Sequence, residues 1–138
     1  MFEVRYVKNN YEFAKVISIR IAVFVMEQNC SLEHEVDGHE NDAKHVIALI
    51  DGKPAGCGRI IGTQGKTKLE RLAVLREYRG EGVGRKIMEF MISQCKGKEV
   101  FIHAQAHLQG FYESLGFKAE GEAFDEYGIE HLKMTMKA

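Results

Sequence analysis

The sequence has no long apolar run and almost no net charge. No hydrophobic stretch approaches the roughly 20 residues that cross a bilayer as a helix, and the first residues lack the basic and apolar stretches of a signal peptide. The formal net charge of −1 gives no reason to expect a nucleic acid or a membrane as partner. We therefore predict a cytoplasmic protein that binds neither.

Cysteine and proline are both scarce. Cys30, Cys57 and Cys95 are odd in number and form no Cys-x-x-Cys pair, which indicates reduced thiols rather than a disulfide framework. The single proline lies at a predicted turn, and there is no repeat, low-complexity tract or linker. A chain of 138 residues can bury about two thirds of its unfolded surface, so residues 1–138 are predicted to form a single domain.

Charge is unevenly distributed although its sum is small. The segment from Glu27 to Asp42, called here the acidic segment, contains six acids and neither Lys nor Arg. It is predicted to be a long loop with a short helical turn. His34 and His39 are not four residues apart, and the segment lacks the pattern of a calcium loop, so we expect no metal. A solvated surface and attraction of a cationic substrate both remain open.

Apolar periodicity predicts alternating strands and helices. The predicted strands are 2–6, 45–51, 54–63, a strand ending at residue 74, 100–104, 117–124 and 131–136. The first predicted helix begins at Asn9 or Asn10, and the other two span 82–95 and 107–115. This order predicts an α/β protein with a single mixed, mostly antiparallel and twisted sheet and helices on both faces.

A glycine-rich stretch between a predicted strand and a predicted helix is the most informative part of the chain. Residues 79–86 read Arg-Gly-Glu-Gly-Val-Gly-Arg-Lys, and we call 79–84 the glycine turn. Glycines allow a close backbone approach, and a helix N-terminus attracts phosphate. Arg85 stands where a dinucleotide fingerprint needs glycine, and no Gly-Lys-Ser/Thr triplet completes a P-loop. A plain strand-to-helix connection stays an alternative.

Several motifs together resemble one family. Arg79-x-x-Gly82-x-Gly84 resembles the pyrophosphate-binding signature of the GNAT N-acyltransferases, and the segment 111–117 resembles their late Phe-Tyr-x-x-x-Gly-Phe motif. The predicted order of elements is that of the GNAT fold. The pattern from Arg20 to Gln28, followed by Asp37 and His45, is similar to the small bacterial ElaA-like subgroup.

The resemblance implies an acetyl-CoA-dependent N-acetyltransferase that transfers the acetyl group directly to a primary amine. It places the backbone N–H of Val74 at the thioester carbonyl and the glycine turn at the pyrophosphate. The implied cofactor-binding residues are Leu72, Ala73, Val74, Arg79, Gly80, Glu81, Gly82, Val83, Gly84 and Arg85.

Tyr112 is the main catalytic candidate, because a phenol stays protonated at neutral pH and can protonate a departing thiolate. Its alternative role is packing between helix and sheet. Glu70, on the strand expected to line the reaction channel, is the candidate base, with Glu27 at the end of the first helix and a water chain as alternatives. Lys68 stands where some histone-acetylating relatives carry a catalytic glutamate, so the resemblance does not supply the base. His103 and His131 lie in strands, where a structural imidazole is more common.

The acceptor side is less defined. The acceptor-binding candidates are Glu27, Gln28, Asp37 and His45, and the acidic segment favours a small cationic acceptor whose identity the sequence leaves open. A homodimer through the sheet edge is one expectation. The rival function is a non-catalytic acyl-CoA sensor or protein-interaction module.

Overall fold

The computed structural model describes residues 1–138, and its framework is one seven-stranded sheet in the order β1-β2-β3-β4-β5-β7-β6. The strands are Phe2–Tyr6 (β1), Lys44–Ile50 (β2), Lys53–Thr63 (β3), Lys66–Val74 (β4), Glu99–Gln105 (β5), Lys118–Glu126 (β6) and Ile129–Lys137 (β7). Only β4 and β5 run parallel; every other neighbouring pair is antiparallel. The predicted mixed, mostly antiparallel sheet is confirmed.

Four α-helices connect the strands: Asn10–Arg20 (α1), Leu32–Glu35 (α2), Val83–Gln94 (α3) and Gln109–Glu113 (α4). The Asn9 side chain caps α1 by accepting the backbone N–H of Glu12 at 2.9 Å. Short 3-10 turns, Arg76–Tyr78 and Ala106–Leu108, precede α3 and α4. No helix in the chain has the length and apolar character needed to span a membrane.

The first helix differs from its prediction in two ways. It continues as a π-helix over Ile21–Glu27, and its buried face is made by Val16, Ile19, Arg20 and Val23. An ideal 3.6-residue period would place Ile17 and Phe24 on that face beside Val16 and Arg20. The π-turns change the number of residues per helical turn, and Glu27 and Gln28 at their end reach Arg79 and Gln105.

Helices cover both faces of the sheet, as the sequence predicted. Alternate residues of β2 point to opposite sides: Val46 and Ala48 join the core beneath α3, whereas Ile47 and Leu49 join the core beneath α1. Gly58 of β3 allows α3 to pack closely, because a Cβ there would lie 2.8 Å from the Met91 side chain. Strand β4 lies at the centre of the sheet and contributes Leu69 to the first of these cores and Ala73 to the second.

Strands β4 and β5 separate soon after they meet. Their ladder contains only two pairs, Thr67 with Val100 and Lys68 with Phe101, although both strands continue for several residues. Beyond this point a bulge interrupts the pairing of β4 with β3, and Arg71 adopts a left-handed φ of 56°. The separation opens the sheet along β4.

Candidate active site

Two cavities lie along the opening beside β4. The central cavity, of about 170 Å³, is lined by β4 and β5 and by residues of α4 and the β6–β7 hairpin. The turn cavity, of about 310 Å³, is lined by Val74, the glycine turn, Arg85 and Phe111. Leu72 lines the first and Val74 the second, so one strand borders both. An elongated ligand could extend from one cavity to the other along β4.

The glycine turn forms an open concave backbone at the start of α3. Gly80 and Gly82 have φ values of 85° and 80°, which strain any other residue, and no atom lies within 4 Å of a Cβ added at either. Gly82 caps α3 without a side-chain hydrogen bond, so the first N–H groups of the helix remain available. The arrangement suits a phosphate group.

Two arginines border the turn cavity. The Nε of Arg79 donates to the Val74 carbonyl at 2.9 Å, and its Nη2 lies 2.5 Å from Glu27 Oε1. Arg85 donates to the Ser114 hydroxyl and lies 3.6 Å from Glu89. Both guanidinium groups remain partly exposed, at 43% and 41%. Arg79 thus ties the end of β4 to the π-helix while leaving positive charge at the cavity.

The side chains that line the central cavity come from every element around it. They are Phe24, Gln28, Cys30, His34, Glu35, Lys68, Leu69, Glu70, Arg71, Leu72, Met88, Ile102, His103, Gln105, Leu108, Tyr112, Glu126, Tyr127, Ile129 and His131. About half are apolar, and the polar ones include three carboxylates and three imidazoles. At the outer edge, the Tyr127 ring lies 5.1 Å from the His34 ring and joins the hairpin to α2.

Tyr112 lies on α4 and lines the central cavity, whereas its neighbour Phe111 lines the turn cavity. Its ring packs against Phe111 and Phe117, with centroid distances of 5.0 and 6.2 Å. The side chain is only 8% exposed, and burial alone raises its pKa to about 12, with no hydrogen bond from the protein to offset it. The phenol is therefore protonated at any physiological pH and lines the central cavity.

The acidic segment is held by buried arginines. Arg20 and Arg59, each 1% exposed, contact carboxylates of this segment: Arg20 Nε lies 3.3 Å from Glu35, and Arg59 grips Asp37 with two bonds of 2.6 and 3.1 Å. Glu40 lies near both arginines. The predicted short helical turn is present as α2, but the segment is not wholly a solvated surface, because Glu35 in this helix is only 4% exposed.

Arg71, at the β4 bulge, completes this arginine cluster. Its Nε lies 2.8 Å from Glu35, and its Nη2 lies 3.2 Å from Asp37. Burial would raise the pKa of Asp37, but hydrogen bonds from Arg59 and from the His39 backbone hold it well below its ordinary range. For Glu35, burial prevails and raises the pKa. Most of the negative charge of the acidic segment is thus neutralised by arginines of the same protein.

Glu70 lines the central cavity but is closely bound. Arg59 Nε donates to it at 2.9 Å, Lys68 Nζ lies 3.3 Å away and Arg71 lies 3.6 Å away. Burial raises the pKa of Glu70, but the charges of Arg59, Lys68 and Arg71 together with the hydrogen bond from Arg59 outweigh it, so the pKa is lowered overall. A carboxylate with three cationic neighbours accepts a proton poorly.

The predicted acceptor residues separate in space. Gln28 lines the central cavity and accepts a hydrogen bond from Gln105 at 2.9 Å. Glu27 binds Arg79, Asp37 binds Arg59, and none of Glu27, Asp37 and His45 lines the cavity. The imidazole of His45 donates from Nε2 to the Glu40 carbonyl at 2.8 Å. Their contact with an acceptor stays a prediction.

The predicted cofactor residues are brought together more fully. Leu72 lines the central cavity; Val74, Arg79, Gly80, Gly82, Val83, Gly84 and Arg85 line the turn cavity. Ala73 points to the opposite face of the sheet, into the core beneath α1, so only its backbone can reach a ligand in the cleft. Glu81 belongs to the turn without lining its cavity.

One cluster in the central cavity was missed. Glu126 Oε2 lies 3.4 Å from His103 Nδ1 and 3.9 Å from His131 Nε2. The contact with His103 lowers the pKa of Glu126. Both histidines were interpreted as structural, and the strand predicted over 117–124 ended two residues before Glu126. The alternation of Phe124 and Glu126 continues up to the Tyr127-Gly128 turn, and this pattern could have extended the predicted strand to Glu126.

Comparison with known proteins gives a consistent result. Residues 10–138 match the family model described as the acetyltransferase (GNAT) domain. The chain is 37% identical over 131 residues to YjcF of Bacillus subtilis, named as an uncharacterized N-acetyltransferase, covering 92% of this chain and 94% of that protein. It is 34% identical over 129 residues to Escherichia coli ElaA, covering 87% and 84%.

Solved structures agree with the sequence relatives. The crystal structure of Escherichia coli ElaA superposes with a TM-score of 0.89 at 29% identity, over 99% of this chain and all of that one. An acyl-CoA N-acyltransferase from Pseudomonas aeruginosa gives a TM-score of 0.86 at 28% identity, over all of this chain and 99% of that one. Both superpositions cover nearly the whole chain.

Proposed function

Since this chain belongs to the GNAT family of acetyltransferases, we propose that it moves an acetyl group from acetyl-CoA directly to the primary amine of a small cationic acceptor. The observation that carries this proposal is that β4 borders both cavities, through Leu72 in the central cavity and Val74 in the turn cavity. A phosphate-suited backbone lies at one end, and a buried phenol with titratable side chains lies at the other.

The turn cavity would hold the pyrophosphate of acetyl-CoA. Gly82, Val83 and Gly84 line it at the start of α3, where the first helical N–H groups have no intrahelical partner, and Arg79 and Arg85 supply positive charge beside it. The pantetheine arm would then follow β4 past Val74 towards Leu72. The N–H of Val74 is the proposed donor to the thioester carbonyl, where negative charge develops as the amine attacks.

In the transfer step, the neutral amine nitrogen attacks the carbonyl carbon, a C–N bond forms and the C–S bond breaks. The departing thiolate takes the proton of the Tyr112 phenol. The nitrogen loses a proton on becoming an amide, and this proton restores the phenol. The high pKa of Tyr112 keeps the donor loaded.

The proposal does not use Glu70 as the base. Its carboxylate orients Arg59, which in turn fixes Asp37 and the acidic segment over the cavity. We assign Glu70 a positioning role at the cavity wall. Gln28, whose amide is held by Gln105, is the proposed acceptor contact retained from the sequence prediction.

The function is tested by two measurements on the wild-type protein. Acetyl-CoA should raise the melting temperature, because a ligand of the native state stabilises it by mass action. A panel of primary amines should then release CoA with formation of the N-acetylated product. Stabilisation without product from any amine would favour an acyl-CoA sensor. The absence of both stabilisation and product would refute the proposal.

A further inference from the structure

Glu126 is the central cavity's unneutralised carboxylate. Of the three carboxylates that line this cavity, Glu35 and Glu70 contact arginine or lysine within 4 Å. Glu126 contacts only the imidazoles of His103 and His131. It is 29% exposed, so it keeps access to the cavity. A cation entering the cavity therefore has no direct Arg or Lys contact to displace from Glu126, and the charge of Lys68 acts on this carboxylate only from farther away.

The tautomer of neutral His131 is fixed by its backbone. Its Nδ1 lies 2.7 Å from the Ile129 carbonyl oxygen, which can only accept, so Nδ1 carries the hydrogen. The neutral ring therefore presents a bare Nε2. That nitrogen faces Glu126 at 3.9 Å, beyond direct hydrogen-bond distance. A proton donor placed between this nitrogen and the carboxylate could hydrogen-bond to both.

We propose that Glu126 binds the acceptor as an alkylammonium ion and that His131 Nε2 takes its first proton. This inference rests on the proposed acetyl transfer and names the substrate class of the same site: protonated alkylamines rather than weakly basic arylamines. The ammonium group gives one proton to His131 and becomes the neutral nucleophile. After attack, the second proton passes to the thiolate through Tyr112, and the imidazolium releases its proton to solvent.

The site has a defined set of charged and titratable neighbours. They are Cys30, His34, Glu35, Lys68, Glu70, Arg71, His103, Tyr112, Glu126 and Tyr127. Lys68 contacts Glu70 and Arg71 contacts Glu35, and the charge of Lys68 also helps to lower the pKa of Glu126. His103 is 30% exposed, and its Nδ1 lies 3.4 Å from Glu126 Oε2.

The test compares benzylamine, protonated at neutral pH, with aniline, which is neutral there. Glu126→Gln should raise KM for benzylamine by about 10- to 100-fold and leave KM for aniline and acetyl-CoA nearly unchanged. Glu126→Asp should restore part of the loss. Glu120→Gln, on the same strand but paired with Lys133, is the matched control and should behave as wild type. An equal effect on both amines, or none, would overturn the inference.

His131→Asn tests the proton transfer. Its amide nitrogen can still donate to the Ile129 carbonyl, but the acceptor nitrogen is lost. At pH 7, kcat/KM for benzylamine should fall by about 10²-fold, and the deficit should shrink as pH approaches the pKa of the amine. A deficit that is independent of pH would reduce His131 to a structural role.

Binding is also measured without turnover. Benzylammonium should shift the imidazole NMR signals of His103 and His131 in the wild type but not in Glu126→Gln. Shifts without any acetylated product would support this binding site and contradict the proposed transfer. Product formation that is insensitive to Glu126 would do the reverse, so the two failures are distinguishable.

Discussion

Arg59 holds Glu70 from inside the protein: its Nε donates to Glu70 Oε2 at 2.9 Å, although its side chain is only 1% exposed. The same guanidinium binds Asp37 from the acidic segment. Arg59 therefore connects the cavity wall to the acceptor side of the molecule. Each carboxylate in this arrangement is needed to compensate a buried cation.

Glu70→Gln should destabilise the protein more than it impairs chemistry. We expect a loss of about 1 to 3 kcal/mol in the free energy of unfolding, since a charge-assisted bond to Arg59 is weakened. kcat should change less than 10-fold. Glu99→Gln, at an exposed position on β5, is the control for stability measured in urea. A 10²-fold fall in kcat with loss of the acidic limb of the pH–rate profile would restore Glu70 as base.

Gly82→Asp should abolish the acetyl-CoA-induced rise in melting temperature. The substitution puts a negative charge where a phosphate must approach and strains a backbone with φ near 80°. Gly97→Asp is the matched control, because Gly97 has a φ of 85° and equally open surroundings. Both variants should lose comparable stability, and only Gly82→Asp should lose cofactor binding. Normal binding by a folded Gly82→Asp protein would refute the pyrophosphate assignment.

Tyr112→Phe should lower turnover by about 10²- to 10⁴-fold while stability and acetyl-CoA binding stay nearly constant. The ring contacts with Phe111 and Phe117 are preserved, and the hydroxyl makes no compensating bond that would be lost. Tyr11→Phe, at an exposed site on α1, controls for removal of a phenol. Unchanged turnover under conditions where chemistry limits the rate would reduce Tyr112 to a packing role.

Asp37→Asn tests the arginine cluster through pH. The folded pKa of Asp37 is lowered, so its stabilisation is present above the ordinary carboxylate range and is lost as pH falls towards the folded value. The variant should be about 1 to 3 kcal/mol less stable at pH 7 and should lose less further stability on acidification. Asp42→Asn, 72% exposed, is the control. An unchanged acid limb would exclude Asp37 as a contributor.

Local pattern was enough to predict most of the framework. The β strands and α3 follow from apolar periodicity, and the glycine turn was predicted because its residue types determine its backbone geometry. The GNAT family and the ElaA-like relatives are confirmed by the comparisons. The sequence gives the number of acids in the acidic segment correctly, but whether those acids attract a ligand or are neutralised depends on which arginines contact them.

Those partners are distant in the sequence. Arg59 lies 22 residues from Asp37, and Arg71 lies 36 residues from Glu35. Charge patterning along the chain does not report such pairings, which arise only when β3 and β4 pack beneath the segment. The Glu126 cluster was missed for the same reason, since it assembles from β5, β6 and β7. Periodicity predicts elements, whereas these clusters depend on which elements become neighbours.

The buried Arg20 and Arg59 also limit how the acceptor specificity of this scaffold can be redesigned. A graft that replaced the acidic segment with an uncharged loop would remove Glu35, Asp37 and Glu40 together. Two guanidinium groups in the interior would then lack most of their counter-charge, and such uncompensated burial costs several kcal/mol. A transplantable unit must therefore include the loop and its arginines, although they lie on different elements of the fold.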